Sequence, residues 1–164
     1  MIELTFYIAS AIALFSTVMV VTNTQPVHAL LYLVLSLLAV ATVFFTLGAP
    51  FAAALEVIVY AGAILVLFVF VVMMLNLGHR TQEQERIWLS PAAAIGPALL
   101  AGILLVMLGK LLWPTEYLTP AGLQEIDAKA VGIALYGPYL LAVELASMLL
   151  LAGLVAAYHI GKNE

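Results

Sequence analysis

The chain alternates long apolar runs with short polar breaks. Between Glu3 and Glu56 it contains no Asp, Glu, Lys or Arg. A helix crosses a hydrocarbon core about 30 Å thick with about 20 residues, so this interval can hold two membrane spans. The first run lacks the basic start of a signal peptide. We therefore expect it to be a retained first helix.

Polar breaks, glycines and prolines divide the chain into five predicted transmembrane helices. Pro26 and Pro91 suit first helical turns, where the missing proline N–H costs nothing. Gly48 and Pro50 form a typical stop between two helices. The predicted fold class is all-α, a polytopic protein with one membrane domain over residues 1–164. Its helices are expected at about residues 2–21, 26–47, 51–75, 90–113 and 138–160.

Two connections are markedly polar: residues 79–86 are interpreted as a solvated loop, and residues 114–131 as a longer polar connection. Lysine and arginine in short loops mark the cytoplasmic side of a membrane protein. With five spans, three basic residues share one side, Arg80, Arg86 and Lys162. Two fall opposite, Lys110 and Lys129. This balance predicts a cytoplasmic C-terminus.

The composition excludes several functions. The chain is 66% hydrophobic and 9% charged, whereas soluble domains carry about a quarter charged residues. The lipid bilayer is therefore its expected surroundings. The absence of cysteine excludes disulfides and thiolate metal clusters, and the net charge of -4 without a basic cluster gives no sign of nucleic-acid binding. The three histidines have no metal-ligand spacing, so no metal site is expected.

Two acids stand inside predicted spans, Glu56 in the third helix and Glu144 in the fifth. A charge within a bilayer costs about 2.5 kcal/mol or more, so such residues usually face protein or water and often serve ion transfer. With five spans, both carboxyls are predicted at about 8–9 Å from the same membrane face. The alternative is that each side chain reaches interfacial water from near a helix end.

Tyr60 follows Glu56 by four residues and is expected on the same helix face, where its phenol can satisfy the carboxyl or extend a water chain. The small residues Ala61, Gly62 and Ala63 come next. Small residues favour close helix packing in membranes. The alternative is a local weak point at which a π-bulge or kink forms.

Three segments resemble one family along essentially the whole chain. Residues 23–32 (NTQPVHALLY) resemble the entry to its second helix. Residues 54–78 (ALEVIVYAGAILVLFVFVVMMLNLG) resemble its third helix almost letter for letter. Residues 132–153, which include GPYLLAVELASMLLLAG, resemble its fifth. The family is the J subunit of bacterial NADH:quinone oxidoreductase, or respiratory complex I, whose mitochondrial counterpart is NADH dehydrogenase subunit six.

The resemblance implies a membrane-arm subunit that links the quinone-reducing module to the proton-translocating subunits. It implies partners including the quinone-site subunit and the small antiporter-like neighbour, in the bacterial cytoplasmic (inner) membrane. Such a subunit holds no redox cofactor, since FMN, iron–sulfur clusters and quinone belong to partner subunits. It belongs to an enzyme, a translocase, but is not catalytic alone.

The resemblance also implies site residues. Glu56 matches the family's third-helix acid and Glu144 its fifth-helix acid. A π-bulge is expected near Tyr60 and Gly62, and its conversion to α-helix is thought to open or close a hydrated proton path. Two further positions match those lining the gate, Val66 and Phe68.

Other functions remain to be weighed. A structural scaffold would only hold neighbouring subunits together, and subunits of related cation/proton antiporters or membrane-bound hydrogenases share the hydrophobic layout. A free-standing enzyme is disfavoured because the sequence offers no nucleophile–base or metal constellation.

Overall fold

The computed structural model describes residues 2–23, 26–74, 91–112 and 126–162, without the side chains of residues 91–94 and 111–112. The predicted loop at 79–86, with Arg80 and Arg86, lies outside the described residues. So does most of the predicted connection at 114–131. The chain divides into two compact units, Met1–Glu125 and Ile126–Glu164, and each is described by itself.

The described residues of the first unit form four helices. They are α1 (Ile2–Thr22), α2 (Pro26–Thr46), α3 (Pro50–Met74) and α4 (Pro91–Leu112). The central helix is α2, which contacts α1, the whole length of α3, and α4. Proline occupies the first position of α2, α3 and α4, where its fixed φ suits the helical start.

The end of α2 is built by Gly48. This glycine has φ 79°, a left-handed conformation that side chains with a Cβ rarely adopt. The Ala49 N–H donates to the Phe44 carbonyl at 3.0 Å, and the Gly48 N–H donates to the Phe45 carbonyl at 3.2 Å. This is the Schellman pattern. It turns the chain sharply, so that α3 begins at Pro50 and packs back against α2.

Small and branched side chains form the core between α1, α2 and α4. Its fully buried members are Ala9, Ile12, Leu35, Ala39 and Leu104. Hydroxyl groups join α1 to α2 beside this core. The Thr17 and Ser36 hydroxyls lie 2.9 Å apart, and the Thr17 hydroxyl donates to the Ala13 carbonyl at 2.8 Å. Hydrogen bonds between side chains of neighbouring helices, like the one between Thr17 and Ser36, are typical of helix contacts in a membrane, where hydrophobic burial drives little association.

The second unit corrects the predicted connection at 114–131. The last residues of that predicted connection begin a short helix, α5 (Ala128–Leu135). A turn joins α5 to α6 (Leu140–Gly161). The prediction missed α5 because its eight residues are too few for a clear periodicity. The available signal was Asp127, whose carboxylate accepts a hydrogen bond from the Ala130 N–H at 2.8 Å and so caps the helix.

The described residues contain helices and no strand, which confirms the all-α prediction for this part of the chain. Four helices are long and apolar enough to cross a membrane: α1, α2, α3 and α6. In α4 the apolar stretch is shorter, Ile95–Lys110. By length and composition, the described residues thus indicate a polytopic membrane protein, with four candidate spans and one shorter apolar helix among them.

Candidate functional site

The middle of α3 is not an α-helix. The α-helical segments Pro50–Leu55 and Leu65–Met74 flank a π-helix of nine residues, Glu56–Ile64. At its end the Leu65 N–H donates to the carbonyls of Tyr60 and Gly62, whereas an α-helix would pair it with the carbonyl of Ala61. π-Helices are rare and often mark functional sites. The structure therefore has the π-helix that the resemblance predicts, and it extends further than the surroundings of Tyr60 and Gly62.

A close backbone approach identifies why glycine suits position 62. A Cβ added to Gly62 would lie 3.2 Å from the carbonyl oxygen of Val57, tighter than nearly all real Cβ contacts. The two residues are five positions apart, the spacing of π-helical hydrogen bonding. Gly62 therefore lets the wide π-turn form without crowding. No sequence signal identifies Val57, because its contribution is a backbone atom.

Glu56 is the first residue of the π-helix and is half-buried. It lies six residues after Pro50, hence about 9 Å along the helix axis from the start of α3. Its N–H donates to the carbonyls of Ala52 and Ala53, so its backbone still belongs to the preceding α-helical turn. The acid thus stands at the boundary between the two helix types.

Tyr60 lies within the π-helix with half of its side chain exposed. Among the described residues, no hydrogen bond joins its phenol to the Glu56 carboxyl. Gly62 is half-buried, while Val66 and Phe68, in the α-helical segment that follows, are exposed. The structure therefore places five of the six predicted site residues on one helix, and only Glu56 and Gly62 among them are partly covered.

Glu144 is the sixth predicted site residue and belongs to the second unit. It lies four residues after the start of α6, about 6 Å along that helix, which is shallower than predicted because α6 begins at Leu140. Its side chain is exposed, and its carbonyl accepts a hydrogen bond from the Ser147 hydroxyl at 2.7 Å.

An apolar cleft adjoins the π-helix. Its volume is about 390 Å³, and α2, α3 and α4 line it. Val57 is the residue that the π-helix contributes, and Thr42 is the only polar side chain among the described lining residues. The Thr42 hydroxyl already donates to the Leu38 carbonyl at 2.9 Å, so the described lining is almost entirely apolar. Within the described ranges, no cluster of three or more His, Asp or Glu side chains could hold a metal ion.

The chain matches known proteins along nearly its whole length. Residues 16–160 match the family model of NADH-ubiquinone/plastoquinone oxidoreductase chain 6. The chain belongs to this family. The chain 6 assignment confirms the resemblance seen in the sequence, and three relatives agree with it.

These relatives are bacterial proteins named NADH-quinone oxidoreductase subunit J. The one from Pseudomonas aeruginosa is 62% identical over 162 residues, covering 99% of this chain and 98% of the relative. The one from Escherichia coli strain K12 is 60% identical over 164 residues, covering 99% and 88%. The one from Buchnera aphidicola subsp. Schizaphis graminum is 50% identical, covering 99% of each. The residues that match the family model, 16–160, include the π-helical segment Glu56–Ile64.

Proposed function

We propose that the chain is a membrane-arm subunit of a proton-translocating NADH:quinone oxidoreductase, in which α3 gates a path for protons and water. In this role it links the quinone-reducing module to the proton-translocating subunits. Membership of the chain 6 family supports the enzyme. The observation that carries the gate is the π-helix at Glu56–Ile64, which begins at an acid inside an apolar span.

The gate works by a change in helix type. A π-helix holds more residues in each turn than the 3.6 or so of an α-helix, because its hydrogen bonds span one more residue. Conversion of the segment to α-helix therefore rotates everything that follows it relative to Glu56. Val66 and Phe68 lie on that rotating part, so the conversion changes what these two large side chains obstruct.

Glu56 is the protonatable group of the proposed path, with Tyr60 as its hydrogen-bonding partner once the two side chains meet directly or through water. Glu144 is a second acid of the path, on α6. An intramembrane carboxyl is tolerated where water or protein surrounds it, and it is the usual carrier of protons in pumps. Since Glu56 starts the π-helix, its surroundings change whenever the helix type changes.

The proposed topology has five spans. The fifth is α4, whose 22 residues extend about 33 Å at 1.5 Å per residue, enough to cross a core of about 30 Å. The C-terminus lies in the cytoplasm, and the membrane is the bacterial cytoplasmic (inner) membrane. The partners are the other membrane subunits, including the quinone-site subunit and the small antiporter-like neighbour. FMN, iron–sulfur clusters and quinone belong to partners, so this subunit is not catalytic alone.

The decisive experiment replaces Gly62 with leucine in the assembled complex. The Gly62→Leu side chain must displace the Val57 carbonyl, so we expect the π-helix to be disturbed and proton pumping per NADH oxidised to fall. NADH oxidation by a soluble artificial electron acceptor measures the complex that has assembled, and acidification of inverted membrane vesicles measures pumping.

Gly102→Leu is the matched control. A Cβ at Gly102 meets nothing within 4 Å, so the same increase in side-chain volume should leave pumping unchanged. Normal pumping by Gly62→Leu at normal assembly would refute the hinge. Loss of assembly in both variants would show a general intolerance of leucine on these helices, and Gly62→Ala would then replace Gly62→Leu in the same assay.

A scaffold is the second candidate function. Large apolar side chains are exposed along the whole of α6, so this helix has a surface for neighbouring subunits or lipid. A pure scaffold predicts that Glu56→Gln and Tyr60→Phe leave activity and pumping intact. It also predicts that bulky residues at Ala61 or Ala63 block assembly. A subunit of a related cation/proton antiporter or membrane-bound hydrogenase would instead reveal itself by the proteins that co-purify from mild detergent.

A further inference from the structure

We propose that α5 lies in the membrane interface and that its face of Lys129, Ile133 and Tyr136 contacts phospholipid. These three positions are spaced by four and three residues, so they share one face of the helix. None of these three residues belongs to the π-helix or to the residues of the proposed gate. Its occupant is a lipid surface at the level of the headgroups, where phosphate, water and the first methylenes meet.

The backbone between α5 and α6 sets the level at which α5 lies. The Tyr139 N–H donates to the Ala134 carbonyl at 3.2 Å, so the residue before α6 is bonded directly to the last turn of α5. A Cβ at Gly137 would lie 2.7 Å from the Ile133 carbonyl oxygen, a distance that real Cβ atoms essentially never show. Glycine is therefore required for this tight turn.

This bonding makes α5 continuous with a membrane span. Because α6 is long and apolar enough to cross the bilayer, its first turn lies at the boundary of the hydrocarbon core. The headgroup region adds only several ångströms beyond that core on each side. The last turn of α5, held against the start of α6, is therefore within the headgroup region.

The exposed side chains of α5 fit this environment. Ile133 is 66% exposed and Tyr136 is 73% exposed, and Tyr139 at the start of α6 is also exposed. An exposed isoleucine followed by two exposed tyrosines leaves apolar surface that is unfavourable in water. In the interface the apolar parts meet acyl chains and the phenols meet water and headgroups, which is why tyrosine is enriched there.

Charge complementarity points to phosphate. At the N-terminus of α5, the Asp127 carboxylate accepts a hydrogen bond from the Ala130 N–H. Lys129 is exposed, and no acid in the described part of the chain pairs with it. Its long stem can lie along the apolar surface while the ammonium group reaches a lipid phosphate. An exposed lysine on the helix and exposed tyrosines after it are side chains that commonly lie at the membrane interface.

The test uses the absence of cysteine from the chain. The Ile133→Cys variant of the full, epitope-tagged chain is labelled with benzophenone maleimide in the membrane in which it is expressed, and then irradiated. The Ala134→Cys variant is the matched control, because Ala134 is half-buried. Mass spectrometry of the tagged chain identifies what the benzophenone captured, and the unlabelled wild type gives the background.

We expect the mass of one phospholipid to be added, with a yield several-fold higher at Ile133→Cys than at Ala134→Cys. Tyr136→Cys should behave as Ile133→Cys does. Capture of another polypeptide at Ile133 would overturn the proposal and assign the face to a partner subunit. The proposal would be overturned if residue 133 were completely labelled, no adduct formed, and a water-soluble agent quenched the benzophenone. That result would place residue 133 in water. Adding Lys129→Gln to Ile133→Cys should lower the fraction of anionic phospholipid among the adducts.

Discussion

The carbonyl oxygen of Val57 occupies the space next to Gly62 that a side chain would need. A Cβ at residue 62 would lie 3.2 Å from that oxygen. The contact joins two residues of the same helix, five positions apart, within Glu56–Ile64. The residue type at position 62 is thus tied to the π-helical backbone itself, and not only to the packing of α3 against its neighbours.

The first prediction concerns the stability of this segment. Alanine is a better helix former than glycine by about 1 kcal/mol, so Gly→Ala substitutions in open helix positions should stabilise slightly. Gly153→Ala fits that case, since a Cβ there meets nothing within 4 Å. Gly62→Ala should lose this gain and lower the unfolding free energy, because its Cβ crowds Val57. Denaturation of the full chain in mixed micelles, followed by circular dichroism, measures both. Equal stabilisation at the two sites would contradict the crowding.

The sequence predicts the third helix well but leaves its backbone type open. The small residues 61–63 suit close packing and a π-bulge equally, because both need room near the backbone. Only the resemblance to a family favoured the π-helix. The choice depends on hydrogen bonds between residues five positions apart, and no periodicity of side chains in an all-apolar helix reports them.

The second prediction tests the acid at the start of the π-helix. Glu56→Gln keeps the shape of the side chain but removes the group that can release a proton. We expect proton pumping to fall several-fold with assembly retained, and Glu56→Asp to keep part of the activity. Glu3→Gln is the control, because Glu3 is an exposed acid in the first turn of α1. Pumping should be measured in inverted vesicles at matched rates of NADH oxidation. Unchanged pumping in Glu56→Gln would favour the scaffold.

The third prediction tests the cap of α5. Replacing an N-cap aspartate with alanine costs about 1 kcal/mol, and α5 has only eight residues to support itself. Asp127→Ala should therefore speed amide hydrogen exchange at Ala130 and in the rest of α5, with little change in α6. Asp127→Asn should preserve protection, since its side-chain oxygen can accept the same bond. Equally fast exchange in both variants would mean that the charge, and not the hydrogen bond, stabilises the helix.

The short helix also shows where sequence reasoning was limited. An apolar run predicts a span because length alone decides whether a helix crosses a bilayer. The polar connection before α6 has no such length rule. Its local signals are short: Asp127 lies within the predicted connection at 114–131, and Gly137 directly precedes the helix predicted at 138–160. Glu144 also lies closer to the start of its helix than predicted. The turn between α5 and α6 extends to Tyr139, so α6 begins only at Leu140.

The fourth prediction concerns the hydroxyl contact between α1 and α2. The Thr17 and Ser36 hydroxyls lie 2.9 Å apart. Interhelical hydrogen bonds in membrane proteins contribute about 0.6 kcal/mol on average. A double-mutant cycle with Thr17→Val and Ser36→Ala should return a coupling near that value in the unfolding free energy measured in mixed micelles. Additive effects of the two substitutions would show that the two hydroxyls do not interact energetically.

The last prediction uses the contact between α2 and α4. A Cβ at Gly96 would lie 2.8 Å from the Tyr32 hydroxyl oxygen, too close to be accommodated without movement. The obstructing atom is the tip of a side chain, so Gly96→Ala should destabilise by only about 1–3 kcal/mol, the usual cost of overpacking. Removing that oxygen should make room again.

The rescue variant is therefore Tyr32→Phe. Combined with Gly96→Ala, it should restore most of the unfolding free energy that Gly96→Ala loses, while Tyr32→Phe alone should have a small effect. Unfolding in mixed micelles checks all three variants. Gly102→Ala, on the same helix with open space around it, controls for the change in helix propensity. If the double variant is no more stable than Gly96→Ala, the Tyr32 hydroxyl is not what limits the size of residue 96.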